Sequence, residues 1–251
     1  MSSNPLRDFG LAIGYFTRLP APTALNWRAE DMSAALKYFP LIGFVVGGLA
    51  LAVYHAATLL GLPHDLAVGL SVAASVCITG GLHEDGLADA ADGLGGGMDA
   101  EQCLHIMRDS RIGSFGALAL ILCLWLKLSA LSHLSAVWLG PVLLAGHGVS
   151  RWAALCLAFR LPYLRGEGKA KSVLERASWR DGAWSAGLTA PSLFWLPAAA
   201  WWALLPAAAV GWWFYRLLRR RLQGYTGDCL GAMQQLTELG FYIAAVALAR
   251  G

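Results

Sequence analysis

The stretch Thr79-Gly-Gly-Leu-His-Glu-Asp-Gly-Leu-Ala-Asp-Ala-Ala-Asp-Gly93 follows a hydrophobic run and places five titratable side chains within ten residues. Asp85, Asp89 and Asp92 stand at i, i+4 and i+7, so on a helix their carboxylates leave the same face. Stacked like charges repel, and Mg²⁺ relieves such repulsion, commonly through one or two carboxylates together with substrate phosphates. The spacing therefore predicts a helix that carries a Mg²⁺ site. A solvated acidic turn between membrane helices is the alternative, but it requires neither the helical register nor the small residues in between.

The composition decides the class of protein. The chain has 251 residues, of which 57% are hydrophobic and only 14% are charged, whereas about a quarter of the residues of a soluble domain are charged. The mean hydropathy is +0.53. These values indicate an integral membrane protein. The net charge of +3 does not indicate a nucleic-acid partner, because the basic residues lie between apolar runs.

Apolar runs that could cross a bilayer recur along the chain, and a span needs roughly 20 helical residues. They cover residues 39–62, 66–82, 115–134, 137–159, 184–204, 205–215 and a last run that ends at 249. We predict an all-α integral membrane protein with about seven transmembrane helices, in which residues 1–251 form one domain. The first segment, 1–38, should contain an amphipathic helix in the membrane interface. Its apolar residues recur at helical spacing: Leu6, Phe9, Ile13 and Phe16.

The distribution of lysine and arginine predicts the orientation. With the N-terminus inside, 16 of the 19 basic residues fall in the inside segments 1–38, 83–114, 160–182 and 216–228, as the positive-inside rule requires. The acidic catalytic loop, residues 83–114, then faces the cytoplasm. The basic cluster at 216–221 is interpreted as an inside anchor.

Several further charged residues are candidates for a phosphate-binding site or for buried pairs. Arg108 and Arg111 lie close to the carboxylates in sequence and could hold phosphate oxygens. Asp228, at the start of the last run, is either a helix cap or a further site residue. Lys127, Arg151 and Glu238 fall inside apolar runs, where a charge is costly unless it is paired. We expect Glu238 to pair with Lys127 or Arg151, and for Arg151 a functional role stays open.

Five separated blocks resemble the cobalamin synthase (adenosylcobinamide-GDP ribazoletransferase) family. They are His83 to Gly93, Met107 to Gly116, Thr226 to Ala232, Thr17-Arg18-Leu19-Pro20 and Pro162-Tyr163-x-Arg165-x-x-Gly168-Lys169-Ala170. The resemblance implies a polytopic, Mg²⁺-dependent enzyme of the bacterial inner membrane. It would join adenosylcobinamide-GDP to α-ribazole, or to its 5′-phosphate, and release GMP. A homo-oligomer and contacts with other enzymes of cobalamin assembly are further expectations.

The residues suit this chemistry, since cleaving a diphosphate with a ribose hydroxyl requires charge neutralisation, in-line positioning and activation of the hydroxyl. The candidate metal ligands are Asp85, Asp89 and Asp92, with Glu84 and Asp228 as further members. The candidate phosphate-binding residues are Arg108, Arg111, Lys169, Arg165 and Arg151. Asp92 is the first candidate for the base that accepts the hydroxyl proton, and His83 is the alternative.

Two other functions compete with this prediction. A CDP-alcohol phosphotransferase has an Asp-x-x-Asp-Gly core, which Asp89 to Gly93 matches. The Ala-Arg that follows in that family is absent, and its later Asp-x-x-x-Asp fails because Cys103 stands four residues after Asp99. A cation-coupled transporter could use Lys127 and Glu238, but it leaves the acidic stripe unexplained.

Overall fold

The computed structural model describes residues 4–21, 35–164 and 179–250, with side chains from 182 onward in the last range. These ranges form a helical bundle. Its helices are α1 Pro5–Phe16, α2 Phe39–Leu59, α3 His64–Thr79, α4 Leu82–Gly96, α5 Ala100–Ile106, α6 Ser114–Ser132, α7 Ala136–Ala158, α8 Trp179–Leu193, α9 Leu204–Arg221 and α10 Gly227–Ala249. A short 3-10 helix, Ala198–Ala203, connects α8 to α9. The described part of the chain is therefore all-α, as predicted.

Helix α1 is the amphipathic N-terminal helix that the spacing predicts. The Asn4 side chain accepts a hydrogen bond from the backbone N–H of Leu6 and so caps the first turn. Leu6 itself is exposed, whereas Leu11 and Phe16 are buried. The Phe16 ring stacks on Phe39 of α2 with 4.3 Å between centroids. One face of α1 is thus fixed to the bundle, and the opposite face stays open.

Two helices, α2 and α6, are each long and apolar enough to cross a membrane, and α3 with α4 qualifies as a third, bent unit. Every predicted span contains a helix, but the predicted span 184–204 is not one helix. Its first part ends at Leu193 and a 3-10 helix begins at Ala198. Pro197 stands immediately before that 3-10 helix, and a proline restricts the residue before it to extended conformations.

The chain bends sharply before the acidic stretch. Helix α3 ends at Thr79, three residues before the predicted end of its span, and α4 starts at an angle of 84° to it. Gly80 and Gly81 adopt φ values of +67° and +70°, which glycine reaches without steric cost. The Arg18 side chain packs so closely on Gly80 that a Cβ there would overlap it. The N-terminal block thus secures the bend.

Glycines allow two close helix crossings that position the site. A Cβ on Gly43 would overlap the backbone carbonyl of His147, and one on Gly47 would lie 3.1 Å from the His147 ring. Gly43 and Gly47, four residues apart, thus form a small-residue face of α2 that contacts α7. Gly86 of α4 and Gly231 of α10 form the second crossing, where a Cβ on Gly86 would lie 3.2 Å from the Gly231 Cα. This crossing brings the acidic stretch against the start of α10.

The predicted pairing of the intramembrane charges is confirmed. Lys127 Nζ lies 2.8 Å from Glu238 Oε1, and Arg151 Nη1 lies 4.0 Å from Glu238 Oε2. All three side chains are buried. Lys127 also donates to Gln235 Oε1 over 2.8 Å. These ion pairs and the hydrogen bond connect α6, α7 and α10 inside the bundle.

One member of the basic cluster at 216–221 has a specific partner. Arg221 Nη2 donates a hydrogen bond of 2.6 Å to the backbone carbonyl of Gly97, just after α4. The interpretation of the whole cluster as a simple charge anchor is therefore wrong for Arg221. A guanidinium at this position helps to hold the end of α4 against α9.

Candidate active site

The acidic stretch is helical, as its spacing predicts, and its three aspartates lie at increasing depth. Asp85 is exposed, Asp89 is half-buried and Asp92 is buried. Helix α4 rises 1.5 Å per residue, so the stripe from Asp85 to Asp92 extends over about 10 Å. The three carboxylates therefore form an acidic stripe that begins at the protein surface at Asp85 and ends at the buried Asp92.

Asp92 binds the N-terminus of α6. Its Oδ2 accepts a hydrogen bond of 2.7 Å from the Gly113 N–H, and its Oδ1 accepts one of 2.8 Å from the Gly116 N–H. A Cβ on either glycine would overlap the carboxylate. The unpaired N–H groups at a helix start favour a negative charge. Asp92 thus anchors α4 to α6, and its predicted role as the base stays a prediction that these contacts do not favour.

A cavity of about 240 Å³, here called the tyrosine cavity, opens beside Asp85. It lies where α1, α2, α4, residues 162–164 and the start of α10 meet. Its polar and aromatic lining includes Tyr15, Tyr163, Tyr225, His83, Asp85 and Asp228. Four of the five sequence blocks that carry the resemblance reach or adjoin this cavity.

Backbone hydrogen bonds hold two of the tyrosines together. The Leu164 N–H donates to the Tyr225 carbonyl over 2.9 Å, and the Tyr225 N–H donates to the Pro162 carbonyl over 3.0 Å. The rings of Tyr163 and Tyr225 are 5.3 Å apart. These hydrogen bonds hold residues 162–164 against Tyr225 and so fix one wall of the tyrosine cavity, although the two segments are far apart in sequence.

His83 is the most informative residue of the tyrosine cavity. Its side chain is only 4% exposed, and its ring stacks on Phe39 with 5.5 Å between centroids. The Arg151 guanidinium carbon lies 5.6 Å from the centroid of the same Phe39 ring. Among the described residues, His83 Nε2 has no hydrogen-bond partner. A buried polar atom without a partner is costly, which suggests that a bound molecule supplies one.

Asp228 lies where the topology predicts, beside the acidic stretch. It lines the tyrosine cavity together with Asp85. The helix cap is Thr226, whose side chain accepts from the Cys229 N–H, so the interpretation of Asp228 as the cap residue is wrong. Burial raises the pKa of the Tyr15 phenol, and the nearby Tyr163 and Asp228 raise it further. The cavity therefore combines aromatic walls with negative charge.

A second cavity of about 480 Å³, here called the arginine cavity, lies at the other end of the acidic stripe. Its lining includes Asp92, His105, Asp109, Arg111 and Ser114. Arg111 donates to Asp109 through Nε at 3.0 Å and through Nη2 at 2.6 Å. These hydrogen bonds lower the pKa of Asp109 to about 2, so the pair stays charged at neutral pH. The other N–H groups of the guanidinium remain for a phosphate.

The remaining predicted phosphate-binding residues fall in different places. Arg108 is exposed on the segment that leads to Arg111. Arg165 and Lys169 lie outside the described residues. Arg151 is only 1% exposed and its Nη1 contacts the His147 carbonyl at 3.0 Å, inside the bundle. This position does not support the predicted contact of Arg151 with a phosphate.

The side chain of Glu84 projects from a different side of α4 than the side chains of the three aspartates. Its Oε1 accepts a hydrogen bond of 2.9 Å from Gln235 Nε2 of α10. The predicted role of Glu84 as a further metal ligand is therefore not supported. The sequence offers no local signal for this contact, because Gln235 is 151 residues away.

The donor set can be compared with what Mg²⁺ requires. Within the described ranges, no group of three His, Cys, Asp or Glu side chains is close enough to hold a metal by itself. Mg²⁺ usually takes only one or two carboxylates and completes its shell with water and substrate phosphates. Asp85 and Asp89, on one helix face and open to solvent to different extents, fit that requirement.

Comparisons with known proteins agree on one family. The family model described as cobalamin-5-phosphate synthase matches residues 8–246. A Ralstonia pickettii protein named adenosylcobinamide-GDP ribazoletransferase is 42% identical over 231 residues, covering 91% of this chain and 90% of the relative. Proteins of the same name from Shewanella amazonensis and Vibrio cholerae are 39% and 40% identical, and each covers at least 94% of both chains. No solved structure matches. With nearly the whole chain matched, the protein belongs to the cobalamin-5-phosphate synthase family.

Proposed function

We propose that the chain is an adenosylcobinamide-GDP ribazoletransferase, which joins adenosylcobinamide-GDP to α-ribazole or α-ribazole 5′-phosphate. The names of relatives that align over more than nine-tenths of the chain support this function. The observation that carries it is the convergence of separated sequence blocks on α4. They bring an acidic stripe, a buried histidine and an arginine together at one end of the bundle.

The reaction replaces the phosphoanhydride bond of a diphosphate by a phosphate ester bond. A ribose hydroxyl oxygen of the ribazole attacks the phosphorus that is bonded to the cobinamide side chain. The bond from this phosphorus to the bridging oxygen breaks, and GMP leaves with that oxygen. The hydroxyl proton passes to a base. The protein must therefore neutralise the diphosphate, align the two substrates and accept one proton.

Mg²⁺, when bound, supplies neutralisation of the diphosphate charge. Asp85 and Asp89 would hold it, with the substrate phosphates completing its coordination. Arg111, oriented by Asp109, would bind phosphate oxygens together with Arg108. Arg165 and Lys169, which lie outside the described residues, are further candidates.

We assign the proton acceptor to His83 rather than to Asp92. His83 Nε2 lacks a partner among the described residues, and the ring lines the same cavity as Asp85. Both oxygens of Asp92 already accept backbone N–H groups. The nitrogen of a neutral imidazole ring can accept the hydrogen bond of a hydroxyl.

The site should face the cytoplasm in the bacterial inner membrane. Its support is the excess of basic residues in the segments that include 83–114, 160–182 and 216–228. The orientation is tested by labelling, as described in the Discussion.

The function is tested with protein purified in detergent, adenosylcobinamide-GDP and α-ribazole, by measuring GMP release with Mg²⁺ and with excess EDTA. We expect release only with Mg²⁺ and with both substrates present. Asp85→Asn should abolish it, whereas Asp65→Asn, on the exposed first turn of α3, should not. Absence of GMP with wild-type protein would contradict the function. Release of CMP from a CDP-alcohol would favour the competing phosphotransferase instead.

A further inference from the structure

We propose that the two cavities divide the substrates between them: the tyrosine cavity binds the aromatic base of the ribazole, and the arginine cavity binds the GDP end of the other substrate. The acidic stripe lies between them, so the reacting phosphorus is placed above Asp85 and Asp89. This assignment rests on the proposed function, and it adds the direction from which each substrate approaches.

The lining of the tyrosine cavity selects a neutral aromatic group. The exposed ring of Tyr15 and the half-buried ring of Tyr163 offer stacking surfaces, while Asp85 and Asp228 supply negative charge. No lysine or arginine is among the described residues that line it. A diphosphate would meet repulsion there, whereas a flat heterocycle can stack on the rings. The base of ribazole is such a heterocycle.

The volume of each cavity agrees with this choice. Drug-sized ligands occupy pockets of about 300–1,000 Å³. The tyrosine cavity, at about 240 Å³, is below this range and holds one ring system rather than a nucleoside diphosphate. The arginine cavity, at about 480 Å³, falls within the range and also has the cation that phosphates need.

His83 determines how a riboside bound in the tyrosine cavity is oriented. The ring is buried against Phe39, and Nε2 has no partner in the described part of the chain. This nitrogen is covered by the surrounding side chains, so a ribose hydroxyl of a riboside whose base lies among the tyrosines reaches it when the His83 ring turns towards the cavity. The hydroxyl then donates its hydrogen bond to Nε2 and points its oxygen towards the stripe. This arrangement satisfies the buried nitrogen and prepares the nucleophile in one step.

The stripe sets the distance between the two substrates. Asp85 lines the tyrosine cavity, and Asp92 lines the arginine cavity, seven residues further along the same helix. This separation is about 10 Å along the helix axis. A diphosphate that leaves the arginine cavity along the stripe therefore presents its far phosphorus near Asp85. The nucleophile and the leaving GMP then lie on opposite sides of that phosphorus, as an in-line displacement requires.

The experiment separates binding of the two substrates. Steady-state GMP release gives a KM for each substrate in wild-type protein, Tyr15→Leu, Tyr163→Leu and Arg111→Gln. We expect the two tyrosine variants to raise the KM for α-ribazole about tenfold and to change the KM for adenosylcobinamide-GDP less than twofold. Arg111→Gln should do the reverse. Tyr215→Leu, which lies on α9 outside both cavities, serves as the control and should change neither value.

A binding measurement keeps the assignment independent of turnover. Equilibrium dialysis of α-ribazole alone against the detergent-solubilised protein needs neither Mg²⁺ nor the second substrate. Binding to wild type that weakens about tenfold in Tyr15→Leu and Tyr163→Leu supports the assignment, even if wild type released no GMP and the proposed function failed. Equal ribazole binding by wild type and both tyrosine variants overturns the assignment. If the tyrosine variants change the KM for adenosylcobinamide-GDP more than the KM for α-ribazole, the assignment is also overturned, and the proposed function then stands.

Discussion

Replacement of Glu238 by glutamine should destabilise the protein more than replacement of its partner Lys127 by methionine. Glu238 is only 1% exposed. Its carboxylate faces Lys127 at 2.8 Å, His147 at 3.5 Å and Arg151 at 4.0 Å. Glu238→Gln therefore leaves two buried cations without their anion, whereas Lys127→Met leaves the anion next to Arg151.

The size of the two effects follows from the cost of isolating a buried charge. Breaking a buried ion pair by removing one partner costs about 3–5 kcal/mol. We expect Lys127→Met near the lower value and Glu238→Gln near the upper one. In a chain of this size each kcal/mol shifts the Tm by about 2–4 °C. The expected losses in Tm are then about 6–12 °C for Lys127→Met and about 10–20 °C for Glu238→Gln.

The measurement is thermal unfolding in a single detergent, followed by tryptophan fluorescence. The double variant Lys127→Met/Glu238→Gln should lose less than the sum of the single losses, because it removes both charges of the closest pair. Arg216→Met is the control, since Arg216 is exposed and stacks on Trp212 at 5.9 Å; its loss should stay within about 1 kcal/mol. Single variants that both unfold within about 1 kcal/mol of wild type would refute a buried, charged pair.

Three other predictions concern the acidic stripe, the arginines and the orientation. Asp85→Asn and Asp89→Asn should lower GMP release by orders of magnitude while the Tm stays unchanged; wild-type rates would remove the metal site from these residues. Arg111→Lys should raise the KM for adenosylcobinamide-GDP strongly because lysine lacks the planar fork, whereas lysines in place of the arginines within 216–220 should preserve activity. If activity tolerated lysine equally well at Arg111 and at the arginines within 216–220, Arg111 would be a membrane anchor rather than a phosphate-binding residue. A cysteine engineered within 160–182 should react with a membrane-impermeant reagent only from the cytoplasmic side, and labelling from the periplasm would reverse the orientation.

The sequence predicts the helices well because apolar runs and the spacing of charges are local signals. The acidic stripe and the pairing of Glu238 are both found as predicted. The 84° bend is not predicted, since the apolar run simply ends at Leu82 and only Gly80 and Gly81 mark the break between α3 and α4. Likewise, hydrophobicity alone does not show that the helix breaks within the apolar run 184–204.

The candidate site is predicted less completely, because its partners come from distant parts of the chain. The contact of Asp92 with the start of α6 has one sequence signal, the two glycines Gly113 and Gly116 three residues apart at a helix start. The tyrosine cavity has none, since Tyr15 and Tyr225 meet only through the fold. A charged residue in a sequence also does not reveal whether it faces substrate or protein: one oxygen of Glu84 bonds to Gln235, and its role as a metal ligand stays a prediction.

The bend and the buried charges together explain how an acidic helix can belong to a membrane protein. A charge at the centre of a bilayer costs several kcal/mol, and a straight continuation of α3 would extend the aspartates along the membrane normal. The 84° turn instead lays α4 across the starts of α6 and α10. On its inner side, Glu84 bonds to Gln235, which accepts from Lys127. These directed polar contacts, unlike apolar packing, fix the rotation of α4 about its own axis. The same rotation determines that Asp85 and Asp89 face outward, so the buried charges set the direction of the stripe that the chemistry requires.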